Sequence, residues 1–499
     1  MKSVDLAVPA IVVAVLAAAA SVDHYFRDEF YYLACSRRLA WGYVDQPPLS
    51  IAVLWIVRHA AGESLIVLRL AAALTLGASV WLTGSLARRL GASGFGAVVA
   101  MVTVAIAPQF LGIASFYSMN VFDVLLWTAA LRVFVDAAES GATTSWLCLG
   151  VLLGLGLLNK VSVLWLGAGL GAALLLTPSR RALLTRGPSV AAGVAAVFFV
   201  PHILWQIAHG WPTLEFIRNA SSEKMLSKAP WAFMAEQVMN LHPVTLPIWG
   251  GGLVALLTHP QLRRSRALAI VYMTVAAILM VNATSRSGYL LPAYPALIAA
   301  GGVLWERLLV RPVVRATAIV VLAASGAATL PLAVPILPVD TYVRYSRALG
   351  VAPSTEEKKD LGRLPQFFAD RQGWDAFVDQ VAAVWSQLPP AERSAAAVLT
   401  GNYGEAGAVE QLARARGLVA ISGHNNYWFW GPAGRTGDVL IVLSTRPDRL
   451  QQRFDDVQLA GRTDCGDCMP YENHQTIFIG RGMKAPPLSE RWPQLKHYE

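Results

Sequence analysis

Charge is scarce in this sequence. Asp, Glu, Lys and Arg make up 15% of its 499 residues, against about a quarter in soluble domains. The deficit lies before residue 338, where Ala/Leu/Val/Ile/Gly runs recur, and it excludes one ordinary soluble domain. Cysteine is scarcer still. Four residues exclude a disulfide framework. Cys465 and Cys468 form a lone CxxC that lacks the second pair of a zinc site and suits a local disulfide in an oxidising compartment. No internal repeat is present. The net charge of +9 does not imply nucleic acid, because the cations stand in short clusters between apolar runs.

Apolar runs are abundant. A membrane helix needs about 20 such residues. Eleven candidate spans are expected, at 5–22, 65–86, 93–112, 117–136, 145–159, 161–177, 188–207, 241–259, 267–283, 289–309 and 314–337. The first resembles a signal peptide but is read as an uncleaved helix, since many spans follow. Segment 49–60 is apolar but brief and ends in Arg58-His59, which suits an interfacial helix. The cation clusters are Arg88-Arg89, Arg180-Arg181 with Arg186, Arg263-Arg264 with Arg266, and Arg307 with Arg311 and Arg315. With the N-terminus in the cytoplasm and eleven spans, all fall inside, as the positive-inside rule requires. The expected division is a membrane domain, 1–337, and an extracytoplasmic soluble α/β domain, 338–499.

The opposite loops are chemically richer. The first holds Arg27-Asp28-Glu29-Phe30-Tyr31-Tyr32 and Gly42-Tyr43-Val44-Asp45-Gln46-Pro47-Pro48-Leu49. Later ones bring Asn120 with Asp123, Asn159-Lys160, and Arg286 with Tyr289. Ionisable groups in spans are costly and tend to be kept for function. Each also has a plain structural reading: Lys160 can snorkel, Asp123 can pair with a neighbouring span, and Asp28-Glu29 can be a solvated pair. Their gathering on one face favours chemistry. A carboxylate can serve as general base. Lys and Arg can hold a phosphate, where fixed cations best oppose the charge developing on a departing sugar phosphate. Adjacent Asp28 and Glu29 diverge by about 100° on a helix, so Asp28 is assigned as base and Glu29 as a positioning residue.

An acidic pair after the first span, a loop Pro47-Pro48-Leu49 and a late Tyr289-Leu-Leu-Pro-Ala-Tyr-Pro resemble the GT-C glycosyltransferases. More narrowly, they resemble the bacterial branch related to protein O-mannosyltransferases and lipid A aminoarabinose transferases. The resemblance covers the membrane part. It implies a polytopic helical bundle with outward-facing juxtamembrane helices, a polyprenyl-phosphate sugar donor, and a bacterial inner-membrane location with the active site outside. It places catalysis on Asp28 with Glu29 beside it, matches a second acid to Asp123, and gives donor-phosphate binding to Lys160 and Arg286 near Tyr289. Some relatives use a divalent metal; no ligand set for one is evident here. Asp45-Gln46 stands where aminoarabinose transferases carry a lysine. A different sugar or acceptor is therefore expected, with this pair among its contacts.

In residues 338–499, strands are expected at Ala395–Leu399 and Val439–Leu443, and helices at Gly373–Leu388 and Glu405–Arg416. Two segments follow expected strands, where α/β sheets bind ligands. They offer Tyr403 in one and His424, Asn425 and Trp428 in the other for an acceptor or sugar face. The alternative for Trp428 and Trp430 is docking at the membrane. Other functions in view are a transferase using diphosphate-linked oligosaccharides, a lipid-linked sugar flippase, and a non-enzymatic scaffold. Charges at one face instead of mid-span speak against the flippase.

Overall fold

The computed structural model describes residues 4–444 and 447–499. The chain packs as two units. The first comprises Met1–Val22, Gln46–Ala208 and Ser227–Leu337, and the second Asp23–Asp45, His209–Leu226 and Pro338–Glu499. A division by composition alone gives Asp23–Asp45 and His209–Leu226 to the membrane part. Packing gives both to the second unit.

The first unit is helical throughout. Its helices start and stop where local chemistry dictates. Ser64 caps Leu65–Arg89 by accepting the Val67 N–H at 3.3 Å. Ser118 opens Met119–Ser140, and Gly141 ends it in the left-handed region. Buried hydroxyls turn inward on their own helix: Ser79 and Thr83 donate to carbonyls four residues back at 2.9 and 2.8 Å. Four helices are long and apolar enough to cross a membrane: Leu65–Arg89, Gly187–Ala208, Ser287–Leu308 and Pro312–Ala333. Three bent pairs raise the number to seven. Each of the eleven expected runs falls on a helix, yet length and composition support four to seven spans. The reasons are local. Pro108 breaks the run 93–112 with a bend of 62°, and bends of 101° and 94° stand at Pro178, just past 161–177, and at Pro243, near the start of 241–259. Thr143–Asn159 and Ala267–Val281 have only 17 and 15 residues. Met119–Ser140 carries Asp123, Arg132 and Asp136.

Ser287–Leu308 is the central helix and is almost wholly buried. It is approached through glycine. A Cβ on Gly301 would strike the Ile248 carbonyl, and one on Gly252 the Leu297 carbonyl. Such backbone contact is how helices associate where lipid removes the hydrophobic drive. Arg88 pairs with Asp5, and Arg89 with Asp136 and Glu139, so part of the cationic cluster is neutralised.

The second unit is built on a five-stranded sheet of order β2-β1-β3-β5-β4. β1 (Ala397–Thr400) pairs in parallel with β2 (Ala420–Ser422) and β3 (Val439–Ser444). β5 (Thr476–Met483) runs antiparallel to both β3 and β4 (Phe454–Arg462). The expected strands at 395–399 and 439–443 are β1 and β3, and the expected helices are Trp374–Gln387 and Tyr403–Leu412. β2 has three residues and β4 is largely exposed, so neither shows a clear apolar pattern. Cys465 and Cys468 form a disulfide with Cα atoms 5.6 Å apart.

Candidate active site

In the second unit, Phe26 is extended and Arg27–Ser36 is helical. The Glu29 carboxylate turns back to accept the Phe26 N–H at 2.8 Å, capping its own helix, and is fully buried. Asp28, one residue earlier, stays partly exposed, with 34% of its side chain accessible. The Tyr403 phenol donates to Asp28 Oδ1 at 2.8 Å. The Arg27 guanidinium stands 3.7 Å from the same oxygen and 3.6 Å from Asp370, and donates to the Tyr471 hydroxyl. Its buried Nε makes no hydrogen bond. One reachable carboxylate is thus aimed by a phenol and flanked by a fixed cation. Burial raises the Asp370 carboxyl above its usual range, with Arg27 opposing the shift.

A cavity of about 220 Å³ adjoins this cluster. Arg27, Lys224, Lys359, Tyr403 and Tyr471 line it together with Glu357 and Glu405. Its mixed charge and amide, hydroxyl and carboxylate groups suit a hydrophilic ligand. Glu405 accepts from the Gly401 N–H and Gln475 Nε2 at 2.8 and 2.7 Å, and burial raises its carboxyl.

Asp45 lies on the same unit. The Tyr31 phenol sits 3.0 Å from Asp45 Oδ1 and 2.9 Å from Asn426 Oδ1. A phenol has one proton to donate. A protonated Asp45 resolves the conflict by donating to Tyr31, which then donates to Asn426. Burial pushes the Asp45 carboxyl up to about 7, and the Asp28 charge adds to it. An unfolded Asp titrates near ~3.9. As pH rises through the interval between ~3.9 and about 7, the unfolded chain loses its proton first and the folded form loses stability. Thermal unfolding in neutral detergent is expected to show this decline for wild type and to lose it in Asp45→Asn. An equal slope in the variant refutes the assignment.

The segment expected to offer exposed aromatics does not. His424, Asn425 and Tyr403 are buried. The Tyr403 N–H donates to His424 Nδ1 at 3.3 Å, and Nε2 lies 3.1 Å from the Glu499 carbonyl. Burial and neighbouring His497 hold this imidazole well below its usual pKa, so it is neutral. Trp428 and Trp492 exchange indole-to-carbonyl bonds at 3.2 and 2.8 Å, which ties Trp428 to the packing of its own unit. Asn425 has φ 47° and both side-chain amide atoms buried without partners among the described residues. Trp428, Phe429 and Trp430 are half-buried, not an open aromatic face. Of this set only His424 and Tyr403 line the 220 Å³ cavity.

The first unit carries the other expected residues. Asp123, on Met119–Ser140, is buried and accepts from Ser162 Oγ at 2.9 Å on each oxygen. Lys160 follows Thr143–Asn159, stands 3.7 Å from Asp123, and donates to Asn120 Oδ1 at 2.8 Å. Its ammonium lies 5.1 Å from the Tyr289 ring centroid, a cation–π contact. Arg286 is close enough for the two like charges to act on each other. Four expected residues therefore gather in one place. Gln46 is also in this unit, fully buried, with neither amide atom bonded among the described residues.

Asp370, Asn426, Tyr471 and Ser162 were not anticipated, and Arg27, Tyr31 and Asn120 stood in the polar loops without an assigned role. Among the described residues no three His, Cys, Asp or Glu side chains group as metal ligands.

Comparison with known proteins places these features. The profile of the dolichyl-phosphate-mannose-protein mannosyltransferase family matches residues 45–205. Lipid A galacturonosyltransferase RgtD of Rhizobium johnstonii is 25% identical over 276 residues, 53% of this chain and 56% of that protein. The match therefore spans little more than half of that relative. Among solved structures, ArnT from Cupriavidus metallidurans, bound to undecaprenyl phosphate, superposes with a TM-score of 0.61 over 94% of this chain and 96% of its own, at 16% identity. The Archaeoglobus fulgidus oligosaccharyltransferase AglB, in complex with an inhibitory peptide and a dolichol-phosphate, gives 0.51 over 82% of this chain and 63% of its own, at 12% identity. At these identities the structural matches speak for a shared membrane fold.

Proposed function

We propose that this chain, a multi-pass membrane protein related to the GT-C glycosyltransferases of the mannosyltransferase and ArnT type, transfers a sugar from a polyprenyl-phosphate donor to a lipid, glycan or protein acceptor. The observation that carries the reading is Asp28, a reachable carboxylate held by Tyr403 beside Arg27 while its neighbour Glu29 is buried in a helix cap. In this reading Asp28 takes the acceptor proton as the acceptor attacks the anomeric carbon and the sugar–phosphate bond breaks, with inversion. Lys160, with Arg286 and Tyr289, binds the donor phosphate and opposes the charge left on it. Asp123 acts indirectly: through Lys160 and Ser162 it fixes the ammonium. Asp45, Gln46, Tyr403, His424, Asn425 and Trp428 support or contact sugar and acceptor, the 220 Å³ cavity offering the polar walls for a saccharide. The site and the second unit are placed on the outer face of a bacterial inner membrane, with the N-terminus and the Arg clusters inside.

Two names among the comparisons support a lipid-linked donor, structures holding undecaprenyl phosphate or dolichol-phosphate, and the lipid A galacturonosyltransferase supports sugar transfer. The test is donor identification. Protein purified in neutral detergent is screened against membrane lipid extracts by native mass spectrometry. A polyprenyl-monophosphate sugar is expected to bind, and Lys160→Ala and Arg286→Ala are each expected to weaken it at least tenfold. Binding of diphosphate-linked oligosaccharides alone moves the protein to the oligosaccharide-transferase class. Binding of no prenyl lipid counts for the flippase and scaffold readings.

A further inference from the structure

The second unit contains another cavity, of about 270 Å³, that shares only Gly401 with the one beside Asp28. It opens at the carboxyl ends of β1, β2 and β3, where Gly401, Gly423 and Leu443 line it. The crossover from β1 leads to β2 on one side, and β3 lies on the other. Ligands of open α/β sheets bind at such a change of direction. Its floor is apolar: Leu440, Val442, Leu450 and Phe454 belong to one core cluster. Its wall also carries three cations, Arg449, Arg453 and Arg491. Among the described residues no Asp or Glu lines it. Arg491 is held in place by donating to the Pro486 and Ala485 carbonyls at 2.8 and 2.9 Å. Arg449 and Arg453 have no carboxylate partner among the described residues.

Three guanidiniums around one hollow repel one another unless an anion joins them. Their forked donors match phosphate or carboxylate. A hydrophilic anion leaves the floor unused, and a neutral chain leaves the arginines unused. We infer that this cavity binds a single-chain lipid anion, its alkyl chain on the Leu440–Phe454 floor and its head on Arg449 and Arg453. The volume, about 270 Å³, equals roughly nine waters at ~30 Å³ each. It therefore takes a chain of moderate length and not a whole diacyl lipid. The inference is independent of the proposed transfer reaction.

The test uses octyl phosphate and the full chain carrying Lys160→Met together with Asp123→Asn, which removes the proposed donor-phosphate cation without leaving its buried partner charged. The protein sits in phosphatidylcholine nanodiscs, and binding is read by calorimetry against protein-free discs. One octyl phosphate is expected per chain. Octanol and inorganic phosphate are each expected to bind at least tenfold more weakly. Adding Arg449→Ala and Arg453→Ala is expected to weaken octyl phosphate at least tenfold with an unchanged unfolding midpoint, since these side chains lie at the surface. Undiminished binding in that variant overturns the proposal. So does inorganic phosphate binding as well as octyl phosphate, which reduces the cavity to an anion site, or no octyl phosphate binding at all.

Discussion

Asp28→Asn is expected to slow sugar transfer by roughly 10²–10⁴-fold, the range contributed by a positioned base. The substitution is nearly isosteric. An Asn side-chain oxygen can accept the same bond from Tyr403, and the partly exposed site imposes no new burial cost. What disappears is the ability to take a proton. The unfolding midpoint is therefore expected to stay near that of wild type. The measurement is single-turnover transfer in proteoliposomes supplied with the donor identified by mass spectrometry. A rate within tenfold of wild type, in a variant that inserts and folds, removes Asp28 from the chemistry. Tyr403→Phe serves as the companion. It deletes the donor that orients Asp28 and is expected to cost less than the loss of the base.

Lys160→Met is expected to damage both folding and transfer, and a second substitution separates the two. Asp123 has 1% of its side chain accessible and Lys160 12%. Removing the cation leaves a buried carboxylate with Ser162 still donating to it but no positive charge to pair with it. Breaking such a pair costs about 3–5 kcal/mol. Asp123→Asn in the same chain removes the uncompensated charge, so the double variant is expected to regain most of the lost thermal stability. Transfer is expected to stay absent in both, because neither has the cation for the donor phosphate. Recovery of transfer along with stability would falsify the phosphate-binding role and leave the pair purely structural. A single variant as stable as wild type would show that the pair does not carry the fold at this point.

Both experiments turn on residues that differed in how readable they were. Asp123, Lys160, Arg286 and Tyr289 stood out because a charge or polar ring at the end of an apolar run is costly, and the structure gathers them. Asp28 and Glu29 stood out by their place after the first run, and their diverging directions followed from helical geometry. The cap made by Glu29 is local and was within reach of the sequence. Tyr403 lies 375 residues from the aspartate it serves, and nothing in local pattern links them. Asp370 and Tyr471, the partners of Arg27, are as remote. The reading of His424, Asn425 and Trp428 as an exposed face failed for a related reason. Polar and aromatic residues after a strand look alike whether solvent or the rest of the chain covers them.

The sequence by itself determined where apolar helices lie, which side chains are too costly to be incidental, that the last third is an α/β domain, and that Cys465 and Cys468 are near enough to join. All of these depend on periodicity, composition or short spacing, which act over a few residues. The tertiary structure decided that Asp23–Asp45 and His209–Leu226 belong with the C-terminal unit. It also decided that the chain bends at Pro108, Pro178 and Pro243, and that Asp28 is aimed by Tyr403. These outcomes depend on which distant segments meet, and that is set by the packing free energy of the whole chain, to which no single segment holds the key.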